Sequence, residues 1–281
     1  MPRPEAELLE IVKSLKASVR ELKTWGIKDF LNSPRPSVSA PASAPPAPLP
    51  VAEPSTLLAA ADTRELFPGL APKTASRPAA PAFQSLGEIQ EFLKDCSRCR
   101  LSEQRNRLVF GVGNPRAEIL FVGEGPGRDE DLKGEPFVGR AGQLLDKMLA
   151  AINLSRRDVY IANIVKCRPP ENRVPLPDEV ETCRPFLSAQ IFCINPRITV
   201  ALGAPSSSAL LGNKQPITQI RGKFLTYRIP RPGQPDWKGI ILPTYHPAFL
   251  LRSPGRKRES WEDFKALREE LLNPGSKTEK K

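Results

Sequence analysis

Along the C-terminal part of the chain, short apolar runs rich in β-branched residues alternate with longer stretches of mixed polarity. The runs are Ile119-Leu120-Phe121-Val122, Val159-Tyr160-Ile161-Ala162, Ile198-Thr199-Val200-Ala201-Leu202 and Ile240-Ile241-Leu242. Each is short enough for a strand and apolar enough to be buried on both faces. The intervening pattern predicts helices over Leu144–Ala151, Pro177–Cys193 and Pro205–Leu211, with a last one at Ser260–Leu272. Strands separated by helices pair in parallel through right-handed crossovers, so the expected fold is α/β, a three-layer helix-sheet-helix sandwich. Ligands of such sheets bind beyond the carboxyl ends of the strands. The residues to inspect therefore follow Val122, Ile164, Leu202 and Leu242.

Upstream the pattern differs. Leu8, Leu9, Val12, Leu15, Val19 and Leu22 recur at three- and four-residue spacing, which predicts an amphipathic helix within residues 1–32. Its apolar stripe requires either a protein partner or the core of this same chain as cover. Residues 33–82 hold 12 Pro and 13 Ala, a composition that cannot bury enough apolar area to offset its conformational entropy and reads as a disordered linker. Within it, Leu57–Ala61 and Leu66-Phe67 suggest at most a turn of helix. Residues 83–274 form the folded domain and 275–281 a basic tail. No apolar run approaches the roughly 20 residues needed to span a bilayer, and Met1–Lys16 lacks a signal-peptide core. The expectation is a cytoplasmic monomer without a membrane partner. The net charge is +11, of which +9 falls on residues 83–281, a bias that favours a polyanion such as nucleic acid.

Five cysteines are present. Cys96 and Cys99 form a C-x-x-C pair, and Cys167 and Cys183 lie on segments that the fold can return to the same end. Four thiolates suit tetrahedral zinc or an iron-sulfur cubane, and spacing does not separate the two. Cys193, in Ile191-Phe192-Cys193-Ile194, fits a core position. After the first strand comes Gly123-Glu124-Gly125-Pro126-Gly127-Arg128, where glycines admit a flat ligand close to the backbone and Glu124 supplies an acceptor or base. Arg128 stands where a dinucleotide fingerprint requires its third glycine. Likewise Gly134-Glu135-Pro136-Phe137-Val138-Gly139-Arg140-Ala141 carries Arg140 and Ala141 where a phosphate-binding loop needs Lys and a hydroxyl, which argues against triphosphate hydrolysis. Asn163 closes the second strand with both a donor and an acceptor. His246 is the single histidine and follows the fourth strand directly.

In this order, C-x-x-C, Gly-Glu-Gly-Pro-Gly, Glu-Pro-Phe-Val-Gly, Asn-Ile-Val-Lys-Cys and His-Pro-Ala resemble the family 4 uracil-DNA glycosylases, the iron-sulfur branch of their superfamily, over residues of about 84 to 272. The resemblance implies a four-stranded parallel sheet and release of uracil from uracil-containing DNA, leaving an abasic site. It implies that Cys96, Cys99, Cys167 and Cys183 hold a [4Fe-4S] cluster. It places Phe137 against the uracil ring, Asn163 on its pairing edge, Gly125 as a backbone donor beside Pro126, Glu130 along the pocket and His246 at the uracil O2. Glu124 falls near the glycosidic bond, where it orients water or stabilises the cationic sugar. The branch that traps uracil covalently has a basic, His-containing insertion where this chain has Arg168-Pro-Pro-Glu-Asn-Arg-Val-Pro-Leu-Pro177; the branch with an apolar first motif lacks Glu124. Leu250 or Leu251 is expected to fill the vacated base stack, with Arg221, Lys223 and Arg252 on phosphates. Two rival readings are a non-catalytic nucleic-acid-binding module and an electron-transfer protein built on the cluster.

Overall fold

The computed structural model describes residues 83–231 and 233–275. The expected N-terminal helix, the linker and its short helical turns, and all of the tail but Gly275 lie outside the described residues. Six strands are present among those described: β1 (Val112–Gly113), β2 (Ile119–Gly123), β3 (Tyr160–Asn163), β4 (Ile198–Leu202), β5 (Leu225–Arg231) and β6 (Gln234–Thr244). The helices are α1 (Leu86–Leu93), α2 (Arg128–Lys133), α3 (Arg140–Ala151) and α4 (Pro177–Ile194), then α5 (Ala204–Leu211), α6 (Ile217–Ile220), α7 (Pro247–Arg252) and α8 (Lys257–Leu272).

The strand order is β1-β3-β2-β4-β6-β5. The four apolar runs form the parallel centre, β3-β2-β4-β6. Two antiparallel edges were not anticipated: β1 on β3, and β5 in a hairpin with β6. The sheet is therefore six-stranded and mixed rather than four-stranded and parallel. The edges escape a search for buried runs for different reasons. β1 is two residues long, and β5, Leu-Thr-Tyr-Arg-Ile-Pro-Arg, alternates inward Tyr227 and Ile229 with exposed partners, as a sheet edge wet on one face does.

Period-two alternation sends β2 side chains into two cores. Ile119 and Phe121 pack with α3 and α8, through Leu145, Met148, Phe264 and Leu267. Leu120 and Val122 pack on the opposite face with Leu187, Ile191 and Ile194 of α4. Every residue of β2, β3 and β4 is buried. Each such aliphatic or aromatic side chain contributes about 1.5–3 kcal/mol over its exposed state, so the middle of the sheet is rigid. Cys193, expected in the core, is half-buried instead. The register pairs Gly123 with Asn163 and Leu202 with Thr244. The carboxyl ends thus finish in one row, and that row supports the site.

Candidate active site

A cavity of about 780 Å³ opens at the row of strand ends, bordered among others by Glu124, Gly125, Phe137, Asn163, His246 and Arg252. Ligand pockets of α/β sheets occur at this place. Three residues come from three different strand ends, so their convergence is a product of the parallel topology and not of local sequence.

Asn163 closes β3 and is only 2% exposed. Its side-chain Oδ1 is buried with no hydrogen-bond partner, a state that costs about 1–3 kcal/mol unless a ligand relieves it. Its carbonyl is fixed from behind: the buried Lys166 Nζ donates to Asn163 O at 2.8 Å and to Gln190 Oε1 at 2.5 Å, while Gln190 Nε2 donates to the Phe110 carbonyl at 3.0 Å. Burial lowers the Lys166 pKa to about 8. Gly123 lies opposite, where a Cβ would run into Asn163 Oδ1 and the Phe137 ring. The glycine is there because two cavity-lining side chains occupy its space.

His246 stands just before α7. The Ala248 N–H donates to His246 Nδ1 at 3.1 Å, so in the neutral ring the proton resides on Nε2. Burial, with the Arg252 charge second, pushes the His246 pKa down to about 4. Near neutral pH the imidazole is therefore an uncharged N–H donor. Its ring lies 5.5 Å from that of Phe137, centroid to centroid. Gly203, directly after β4, adopts φ +94° and would bring a Cβ to 3.1 Å from His246 Cβ. The strand-end rule pointed to this position, yet a glycine carries no chemistry to single it out in sequence.

Phe137 holds a left-handed φ of +55°, which is uncommon for a bulky residue and needs external support. Arg156 supplies it. Its guanidinium donates to the carbonyls of Pro136 and Phe137, and its Nε is paired with Asp146 at 2.6 Å. Gly142 closes the arrangement, since a Cβ there would collide with the Phe137 carbonyl. Neither Arg156 nor Gly142 was legible as a site residue, because both act through backbone conformation.

The two carboxylates expected here differ in role. Glu124 is half-buried and its pKa is raised by desolvation. Glu130 borders the cavity, but its Oε1 accepts from the N–H groups of Val138 and Gly139, both at 2.9 Å, and its Oε2 from that of Gly127 at 3.1 Å. It ties the start of α2 to the Phe137 loop. Gly125 and Pro126 also line the cavity, with Val165 behind Gly125.

The five residues expected at DNA differ in exposure and partners. Leu250 is fully buried in the core with α3 and α8, so it cannot enter a base stack. α7 is one and a half turns long, and this is the position that anchors it. Leu251 is half-buried and packs on the same core. Arg221 is paired with Asp263 through Nη2 at 2.6 Å and Nε at 3.2 Å, and it donates to the Glu259 carbonyl. It braces α8 against the end of β6, where Thr244 Oγ1 also donates to Asp263 at 2.6 Å. Lys223 is exposed but away from the cavity, whereas Arg252 is exposed on its rim.

Cys96, Cys99, Cys167 and Cys183 form an electrostatic neighbourhood. Burial raises the Cys167 and Cys183 thiols, the latter to about 12, and nearby sulfur charges raise them further: Cys99 and Cys96 for Cys167, Cys167 and Cys99 for Cys183. Arg105 Nη1 donates to Cys167 Sγ at 3.2 Å and to the Cys96 carbonyl at 2.6 Å. Among the described residues no three His, Cys, Asp or Glu side chains are gathered as the ligands of a metal ion. As a donor set, four thiols with adjacent cations suit a centre that deprotonates its ligands and carries net negative charge.

A helix-sheet-helix sandwich with polar side chains gathered at its parallel strand ends is an α/β fold with its ligand cavity at the expected edge, and comparison with known families supplies the family. Residues 110–267 match the Uracil DNA glycosylase superfamily, and the chain belongs to it. It is 45% identical over 190 residues to the type-4 uracil-DNA glycosylase of Archaeoglobus fulgidus, covering 66% of this chain and 93% of the relative. With that of Thermotoga maritima it shares 47% over 168 residues, 59% of this chain and 82% of the relative. A type-5 enzyme of Pyrobaculum aerophilum is more distant, at 34% over 150 residues, 42% of this chain and 66% of the relative. Within the superfamily the chain is a member of the type-4 family, in agreement with the motif order. No helix among the described residues is long and apolar enough to cross a membrane.

Proposed function

We propose that this chain hydrolyses the N-glycosidic bond of deoxyuridine in DNA, releasing free uracil and leaving an abasic site. The observation that carries the reading is the buried, unpartnered Oδ1 of Asn163 in the same cavity as a neutral imidazole donor. A base inside a duplex is out of reach of such a cavity, so the nucleotide is first turned out of the stack, at a cost of a few kcal/mol. The uracil ring then lies on Phe137. Asn163 Oδ1 accepts its N3–H, which ends the acceptor's isolation, and the amide NH2 donates to O4. Cytosine presents an acceptor and a donor in these two places and is rejected.

Cleavage breaks the C1′–N1 bond, and the bonding pair leaves with uracil as charge spread over N1 and O2. The sugar becomes oxocarbenium-like. His246 Nε2–H donates to O2 and stabilises the leaving anion without being protonated itself. Water adds to C1′ and gives its proton to Glu124, whose raised pKa makes it a better acceptor than an exposed carboxylate. A fluorescent uracil-containing strand tests the reading. Alkali-labile nicks at uracil, and none in the cytosine counterpart, are expected; no nick with uracil would refute it.

Cys96, Cys99, Cys167 and Cys183 would hold a [4Fe-4S] cluster. Through these four ligands the C-x-x-C segment would be tied to both ends of the 168–182 stretch, a structural role, since hydrolysis needs no electron transfer. Cys183→Ser is expected to lower the iron content of purified protein several-fold, to remove its broad visible absorbance and to lower the unfolding temperature. Full iron retention in the variant would remove Cys183 from the ligand set.

A further inference from the structure

Turning a nucleotide out of a duplex leaves a gap in the base stack, and enzymes that do so insert an apolar side chain into it. Of the two sequence candidates, Leu250 is fully buried, and Leu251 is half-buried with its side chain packed on the same core. Five large apolar side chains are exposed among the described residues: Phe92, Leu132, Val174, Leu176 and Leu272. Val174 is the most exposed of them, at 60%, and is the one that borders the cavity. Val174 belongs to neither apolar core and stands in water at the lip of the pocket, where it can meet what enters there. Its neighbour Pro175 also lines the cavity.

The segment carrying Val174 is fixed at both ends. Glu171 and Asn172 adopt left-handed φ values of +55° and +57°, conformations that persist only when their surroundings impose them. Arg168 Nε donates to Asn172 Oδ1 at 2.8 Å. On the other side, Arg173 makes a two-pronged contact with the buried Glu179, at 2.7 and 2.8 Å, and donates to the Val174 carbonyl at 3.0 Å. Glu179 also accepts the Leu176 N–H at 2.7 Å. Bidentate pairs of this kind fix geometry as well as charge. Val174 is thus presented outward from a braced lip, with the exposed cation Arg252 on the rim of the same cavity to meet backbone phosphate.

We infer that Val174 is the wedge that enters the DNA stack when the uracil nucleotide leaves it. The inference rests on the proposed function and deepens it, since it assigns the residue that makes duplex DNA a substrate. A wedge matters only where there is a stack to fill. In the full-length protein, Val174→Ala is expected to lower kcat/KM for duplex relative to single-stranded substrate by about tenfold or more, and Val174→Leu restores the ratio. With 2-aminopurine beside the uracil of a duplex, binding by the unmodified protein raises the fluorescence as the neighbour unstacks, and Val174→Ala reduces that rise. Equal losses on single and double strands, or an unchanged ratio with an unchanged fluorescence signal, would overturn the wedge. Absence of uracil release from both single and double strands by the unmodified protein would instead overturn the proposed function, so the two failures are distinct.

Discussion

His246→Ala is expected to lower kcat/KM for uracil release by about 10²–10³-fold, the usual consequence of removing one donor aimed at a developing oxyanion. DNA binding should be retained, because phosphate contacts and not this ring supply most affinity. The measurement is single-turnover release from a uracil strand alongside a binding titration. A loss of less than about threefold would show that O2 is stabilised by some other group. The protonation state gives a second check. The His246 pKa lies at about 4 in the folded chain against its ordinary 6.5, so this donor remains neutral down to about pH 4, and no inflection near 6.5 is expected from it. Between these values the unfolded chain binds the proton and the folded chain does not. Stability is therefore lost as pH falls from 6.5 toward 4, by the His246 contribution, and regained on the way up.

The second large effect belongs to Asn163. Asn163→Ala removes the acceptor for N3–H and the donor for O4, and kcat/KM for uracil is expected to fall by about 10²-fold or more, as when a buried polar recognition pair is deleted. Unfolding in urea should shift little, within about 1 kcal/mol, because deleting a buried unpartnered acceptor offsets the lost packing of the amide. Most buried substitutions weaken both properties together. A variant equally impaired in stability and turnover would mean that Oδ1 is structural, and a variant with unchanged turnover would remove Asn163 from base recognition.

How much of this was legible in the chain follows from what each residue does. The central strands were visible through their four apolar runs, in which Tyr160 and Thr199 are the only polar side chains, the Thr199 hydroxyl being paired with Tyr227. Asn163 and His246 were visible because polar side chains directly after such runs fall at the ligand edge of a parallel sheet. β5 was hidden because Arg228 and Pro230 face outward on an edge strand, and a half-wet alternation in so short a segment resembles a loop. Leu250 and Leu251 were indistinguishable in sequence; the rotation of a six-residue helix decided which one is buried. Arg221 read as a free cation until its partner arrived from α8, 42 residues away. Glu130 read as a pocket group, yet its three acceptor contacts are all with backbone, which carries no residue-type signature.

The clamp of Arg156 and Gly142 on Phe137 has a consequence for which bases pass. An aromatic floor that cannot tilt grades its guests by planarity before any polar edge is compared. Dihydrouracil has the same N3–H and carbonyl pattern as uracil, but its saturated 5,6 bond puckers the ring. Against a fixed wall the puckered base stands off, and its release should trail that of the flat one even though every hydrogen-bonding group is in place.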